Sequence, residues 1–220
     1  HDAAVVERLD DAGAVLVAKL TMGRFASGDN WFGGQTRNPW NPAEGSGGSS
    51  AGPGAAVAGG LVGFAIGTET RGSIAGPSER CGISGLRPTF GRVSRHGAMT
   101  LAWSLDKIGP MCRTAEDCAV VLNEICGPDG RDASAADMPF EWNDSLDVRT
   151  FVVGYVEEEF AATMESVGDR ARVNGNLYRA ALDTLRSMGV RLVPVTLPHI
   201  PAGLTEFVMS CEASAAFDYL

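Results

Sequence analysis

Glycine placement constrains this chain more than any other feature. Fifteen of its 28 glycines fall between Gly45 and Gly97. A residue without a Cβ lets backbone approach backbone or turn left-handed, so such density marks tight turns and close packing. Within it lie two serine-bearing turns, Gly47-Gly48-Ser49-Ser50 and Gly72-Ser73, with Ser49 and Ser73 24 positions apart. Between them, Gly54 to Leu61 holds only Gly, Ala, Val and Leu, which suits a short buried helix, and Val62 to Gly67 reads as a buried strand. A helix and a returning strand of that length can bring both turns to one end of a sheet. Glycine beside serine lets a substrate approach the backbone, and successive N–H groups can form a concave anion site. This is minimal equipment for acyl transfer; on spacing alone, two plain turns in a glycine-rich core are an equal reading.

The rest of the chain alternates. Val5, Val6 and Leu9 predict a helix over Asp2 to Ala12, stopped by Gly13 and followed by a strand at Ala14 to Val17. Gly28 to Gly54 reads as a long loop. Cys81 to Leu86 suits a strand, and Thr114 to Cys126 an amphipathic helix capped by Thr114. Residues 127–149 form an exposed polar connector. Thr150 to Val156 and Val190 to Val195 read as strands, and Asn174 to Met188 and Ala202 to Leu220 as helices. The pattern implies an α/β fold, a mixed, largely parallel sheet covered by helices on both faces, in a single domain over 1–220. Because the chain opens and stops inside helix-like segments, it is expected to be a piece of a longer polypeptide, truncated at both ends.

Composition narrows function. With 220 residues, 45% hydrophobic and 20% charged, the chain can bury a sizeable core, which excludes disorder and collagen. A net charge of −9 disfavours nucleic acid and anionic lipid as direct partners. The chain has no apolar run of about 18 residues and no signal-peptide pattern at its start, so a cytoplasmic location without membrane contact is expected. Five widely spaced cysteines with no CxxC pair read as reduced thiols. His1, His96 and His199 do not form an HExxH pair, and neither GxxxxGK nor a strand-borne GxGxxG occurs, so neither metal nor cofactor is expected. Gly48-Ser49-Ser50-Ala51-Gly52 matches GxSxG, yet Pro42 to Gly47 is not the strand that a nucleophile elbow needs.

Three blocks carry a family resemblance: Gly47-Gly48-Ser49-Ser50-Ala51-Gly52; Gly67-Thr68-Glu69-Thr70-Arg71-Gly72-Ser73-Ile74; and Cys81-Gly82-Ile83-Ser84-Gly85-Leu86-Arg87-Pro88-Thr89 with Gly91-Arg92-Val93-Ser94. With Ser104-Leu105-Asp106-Lys107-Ile108-Gly109-Pro110, they resemble the amidase signature family. The resemblance implies Ser-Ser-Lys chemistry on a carboxamide: Ser73 as nucleophile, Ser49 as bridging serine behind an unusual cis peptide, and the backbone N–H groups of Thr70, Arg71, Gly72 and Ser73 as oxyanion hole. The family's base lysine lies upstream of residue 1. Lys19 resembles the later Gly-Lys-Thr-Asn block, and Lys107 precedes Gly109-Pro110; both read as structural.

Three positions depart from the family pattern and bear on the substrate, the first being Glu69, which stands where Asp is usual. Arg71 stands where glycine or an apolar residue is common and is expected to point outward and pair with Glu69; Ala75 replaces a frequent arginine. The implied activity is hydrolysis of a small-molecule amide, with the isolated chain inactive. The glutaminase-type component of a transfer-RNA amidotransferase and a non-catalytic binding module are the alternatives. A homodimer is left open.

Overall fold

The computed structural model describes residues 1–160, 169–198, 201 and 203–218. His199 and the expected helix ends at Ala202, Tyr219 and Leu220 lie outside them. The chain forms two compact units, residues 1–142 with 203–220, and residues 143–202.

The first unit begins with α1 (Ala4–Asp11), where Ala4 and Val5 are buried. Gly13 then turns left-handed at φ 82°. The predicted strand at Ala14 to Val17 does not form. Val15, Leu16 and Val17 are 82%, 71% and 69% exposed, and no ladder among the described residues includes them. β-propensity without a neighbour's N–H and C=O groups does not make a strand. The long loop contains four short strands in two antiparallel pairs, β1 (Asn30–Trp31) with β2 (Gly34–Gln35) and β3 (Arg37–Asn38) with β4 (Asn41–Gly45), so Pro42 to Gly45, where no strand was expected, is one, paired through β3 and ending before Ser46.

The small-residue run folds as α2 (Ala51–Ala58), and β5 (Phe64–Glu69) follows. Next come α3 (Ala75–Cys81), β6 (Ser84–Gly85), β7 (Lys107–Cys112) and α4 (Ala115–Ile125). β7 lies between β5 and β6, antiparallel to both, and all six of its residues are buried. Pro110 is tolerated there because a strand residue's N–H and C=O point to the same side. Its C=O accepts from Leu86 N, just past the end of β6, so no rung to β5 needs the missing N–H.

Thr114 caps α4 as expected, its Oγ1 accepting from Asp117 N at 3.0 Å. At the other end, Arg8 donates to the carbonyls of Ile125, Cys126 and Pro128, placing a cation on the negative end of the helix. Val5, Val93, Ile108, Leu122 and Ile125 form the core beneath it. Between Gly127 and Ala136 the chain is held down by Arg95, which pairs with Asp132 at 3.1 Å, and by backbone bonds to Arg92 and Gly91. Residues 141–147 are exposed.

The second unit pairs β8 (Val152–Val156) in parallel with β9 (Arg191–Val195), joined through α5 (Asp169–Ser187). After it, α6 (Leu204–Ala216) belongs to the first unit again. The class is mixed α/β, as read from the sequence. Among the described residues, however, the one parallel ladder is that of β8 and β9, apart from an isolated Val93–Gly127 bridge, and the ladders around the glycine-rich centre are antiparallel. No helix among the described residues is long and apolar enough to cross a membrane.

Candidate active site

The two serine turns meet at the end of β5. Ser50 N donates to the Ser73 carbonyl at 3.2 Å. Ser50 Oγ also accepts from Thr68 N and donates to Thr68 O, both at 3.0 Å. Gly67 makes this approach possible, since a Cβ there would lie 2.7 Å from Met111 Sδ and 3.0 Å from Ser50 Oγ. On the other side, Asp29 Oδ2 accepts from Gly47 N at 3.0 Å.

Ser49 follows a cis Gly48–Ser49 peptide bond. It is 1% exposed, and among the described residues its Oγ has no hydrogen-bond partner. It lines a cavity of about 280 Å³ together with Thr68, Thr70, Asp106 and Lys107, under an apolar wall that includes Met22, Phe25 and Leu101. Ser73 is half-buried and lines an adjoining cavity of about 490 Å³ with Gly48, Thr70, Arg71 and Leu101. Thr70, Phe25, Leu101 and Phe217 belong to both walls.

The turn from Thr70 to Ser73 is fixed at each end. Gly72 has φ 87°, a conformation that favours glycine. Glu69, at the end of β5, accepts with Oε2 from Ile74 N at 2.8 Å and Ala75 N at 3.0 Å, so its carboxylate satisfies the opening amides of α3. Thr70 Oγ1 bonds Asp106 Oδ1 at 2.5 Å, and Lys107 Nζ donates to Thr70 O at 2.9 Å. Among the described residues, the N–H groups of Arg71, Gly72 and Ser73 have no acceptor. Burial, followed by the neighbouring Arg87 charge, pulls the Lys107 amine below the ordinary lysine range, against the opposing pull of Glu69 and Asp106.

The expected Arg71–Glu69 pair is absent. Arg71 reaches Glu206 on α6 at 2.5 Å, whereas Glu69 faces Arg87 at 3.5 Å. The Glu69 carboxylate turns inward because two backbone amides hold it there, out of Arg71's reach. Lys107 and Asp106 were missed as neighbours of the site. Their presence follows from the Glu69↔Lys107 pairing of β5 with β7, and the Ser104-to-Pro110 motif was the only sequence signal for it.

These features define a class: a mixed α/β scaffold that draws a buried serine and a second, glycine-flanked serine to one sheet end, beside a row of N–H groups with no acceptor among the described residues. The chain belongs to the Amidase family, whose sequence model matches residues 1–220. It is 43% identical to the A component of the glutamyl-tRNA(Gln) amidotransferase of Roseiflexus sp. (strain RS-1), over 98% of this chain and 44% of that protein. Among solved structures, the same component of the Thermotoga maritima glutamyl-tRNA(Gln) amidotransferase superposes with a TM-score of 0.87 at 32% identity, covering 100% of this chain and 49% of that one. Native peptide amidase from Stenotrophomonas maltophilia gives 0.77 at 34% identity, covering 99% and 47%. The chain thus spans less than half the length of these relatives.

Proposed function

We propose that this chain carries the serine pair of an amide hydrolase. Ser73 Oγ attacks the carbonyl carbon of a carboxamide and passes its proton to Ser49, which hands its own to a general base. The C–N bond breaks as Ser49 returns a proton to the departing amine. Water then attacks the acyl-enzyme ester, releasing the acid and restoring Ser73. The N–H groups of Thr70, Arg71, Gly72 and Ser73 are the donors for the tetrahedral oxyanion. In the family pattern the base is a lysine, to which neither Lys19 nor Lys107 corresponds, so the base is assigned to the whole protein outside these 220 residues.

One observation carries the proposal: a fully buried Ser49 hydroxyl with no partner among the described residues, on a turn hydrogen-bonded to the Ser73 carbonyl. A buried hydroxyl left unpaired costs about 1–3 kcal/mol; Ser78 Oγ is buried without a partner among the described residues too, and what sets Ser49 apart is its place on the turn bonded to Ser73 and on a cavity wall. The test uses the complete reading frame that contains this sequence. A fluorophosphonate serine probe labels the parent, and labelling falls to background in Ser73→Ala; labelling that survives the substitution removes Ser73 as nucleophile.

The named relatives favour a second reading, the glutaminase component of a transfer-RNA amidotransferase. Arg71 and Ala75 weigh toward a stand-alone amidase. Ammonia release from glutamine that appears only when the other amidotransferase components are added would decide for the glutaminase.

A further inference from the structure

Lys107 does something unusual for a lysine. It is 8% exposed at the start of β7, and its amine donates to a backbone carbonyl, that of Thr70, at 2.9 Å. Removing an ammonium from water is costly, and a carbonyl at a turn could have been satisfied by solvent. The carbonyl it holds therefore matters. A trans peptide unit is planar, with its C=O and N–H pointing in opposite directions. The Thr70 carbonyl shares its plane with the Arg71 N–H, one of the donors in this turn that have no acceptor among the described residues. Fixing the oxygen fixes the direction of that N–H, and a cation on the oxygen polarises the whole unit, making the N–H a stronger donor.

Resting on the amide-hydrolase chemistry above, we infer that Lys107 is a positioning residue for the oxyanion site, aiming and polarising the Arg71 N–H through the Thr70–Arg71 peptide plane. It lines the Ser49 cavity, but among the described residues it makes no hydrogen bond to Ser49 or Ser73. Its neighbours serve the same turn: Asp106 Oδ1 bonds the Thr70 hydroxyl while Oδ2 accepts from Leu101 N at 2.8 Å and Ala102 N at 2.9 Å. With Glu69 bonded to the amides beyond Ser73, both ends of the turn are tied and the amides between them have no acceptor among the described residues.

The test compares Lys107→Met, which keeps the length and loses donor and charge, with Lys107→Gln, which keeps a donor and loses the charge. Both are made in the complete reading frame, beside Ser73→Ala. The readouts are the rate of fluorophosphonate labelling and the split of kcat against KM on an aryl amide. Lys107→Met is expected to lower the labelling rate and kcat about tenfold or more while KM stays within about twofold, and Lys107→Gln to restore part of the loss. Ser73-dependent labelling at the parental rate in both variants overturns the inference and leaves the hydrolase standing. A loss seen only as raised KM overturns it as well. If Lys107→Met fails to fold, Lys107→Gln decides alone, and a parental rate and kcat there count against the inference. A parent that is not labelled, or is labelled without Ser73, overturns both.

Discussion

Strands β7 and β8 are of similar length, yet they live in opposite conditions. All six residues of β7 are buried between β5 and β6, and its glycine sits where another backbone crosses. β8, in the second unit, is half exposed along its length, with Val152 59% accessible. A parallel pair is ordinarily covered on both faces, and among the described residues β8–β9 is not. Apolar patterning alone does not distinguish the two regions. The difference comes from glycine: small residues in the first unit let chain segments approach within contact distance, and the same closeness builds the serine site.

The sharpest way to break this comparison is one methyl group in each strand. A Cβ at Gly109 in β7 would lie 2.1 Å from the Leu86 carbonyl oxygen and 2.8 Å from Pro88 Cδ. Gly109→Ala is expected to destabilise the first unit by about 3 kcal/mol or more, because backbone must move. A Cβ at Gly154 in β8 would meet a side-chain methyl of Val195 at 3.0 Å, which can yield, so Gly154→Ala is expected to change stability by no more than about 1 kcal/mol. All four tryptophans precede residue 143, so denaturation followed by tryptophan fluorescence reads the first unit directly. Equal effects on that transition would erase the contrast.

A smaller effect is expected of the first unit in acid. Burial works to raise the Asp132 carboxyl, but hydrogen bonds from Arg95 and Ser134 outweigh it and hold it far below the usual range. Asp129 behaves alike: burial is outweighed by the amides of Asp132 and Arg131 and by the Ser94 and Arg131 side chains. Folded-state values below the unfolded ones mean stability that is complete above the unfolded value of about 4 and lost as pH falls toward the folded values. The first unit is expected to lose stability steadily below about pH 4, and Asp132→Asn to flatten that dependence, as read from the fluorescence midpoint against pH.

The smallest effect belongs to the Arg71–Glu206 pair, whose side chains are 57% and 50% exposed. Glu206→Gln is expected to shift the same midpoint by less than about 0.5 kcal/mol, because solvent screens such a pair. A larger shift would mean that α6 is held to the first unit mainly by this contact.

Legibility in the sequence followed locality. α1, α2 and α4 announce themselves by spacing, small residues and the Thr114 cap, and the serine turns by their glycines. α3 was hidden because Gly76 and Pro77 look like a continued turn, and β7 because Gly109-Pro110 looks like a break. Each is settled by a neighbour far along the chain: Glu69 holding the first amides of α3, and β5 and Leu86 accommodating Pro110. The partner of Arg71, on α6, was equally beyond local pattern. The strand expected at Ala14 to Val17 failed the other way, having the right residues and no ladder among those described.

The Ser50 hydroxyl, bonded to both polar atoms of the Thr68 backbone, gives the site a property that neither serine turn has alone. It stitches the segment bearing Ser49 to the strand leading into the Ser73 turn, so thermal displacement of either carries its counterpart along. Under the proposed serine chemistry, proton hand-off depends steeply on donor–acceptor separation, and this stitch couples the two segments that set it. On that reading, cavity-wall residues such as Met22 and Phe25 lie outside this stitch, so exchanging them would reshape the amide pocket while leaving the serine spacing in place.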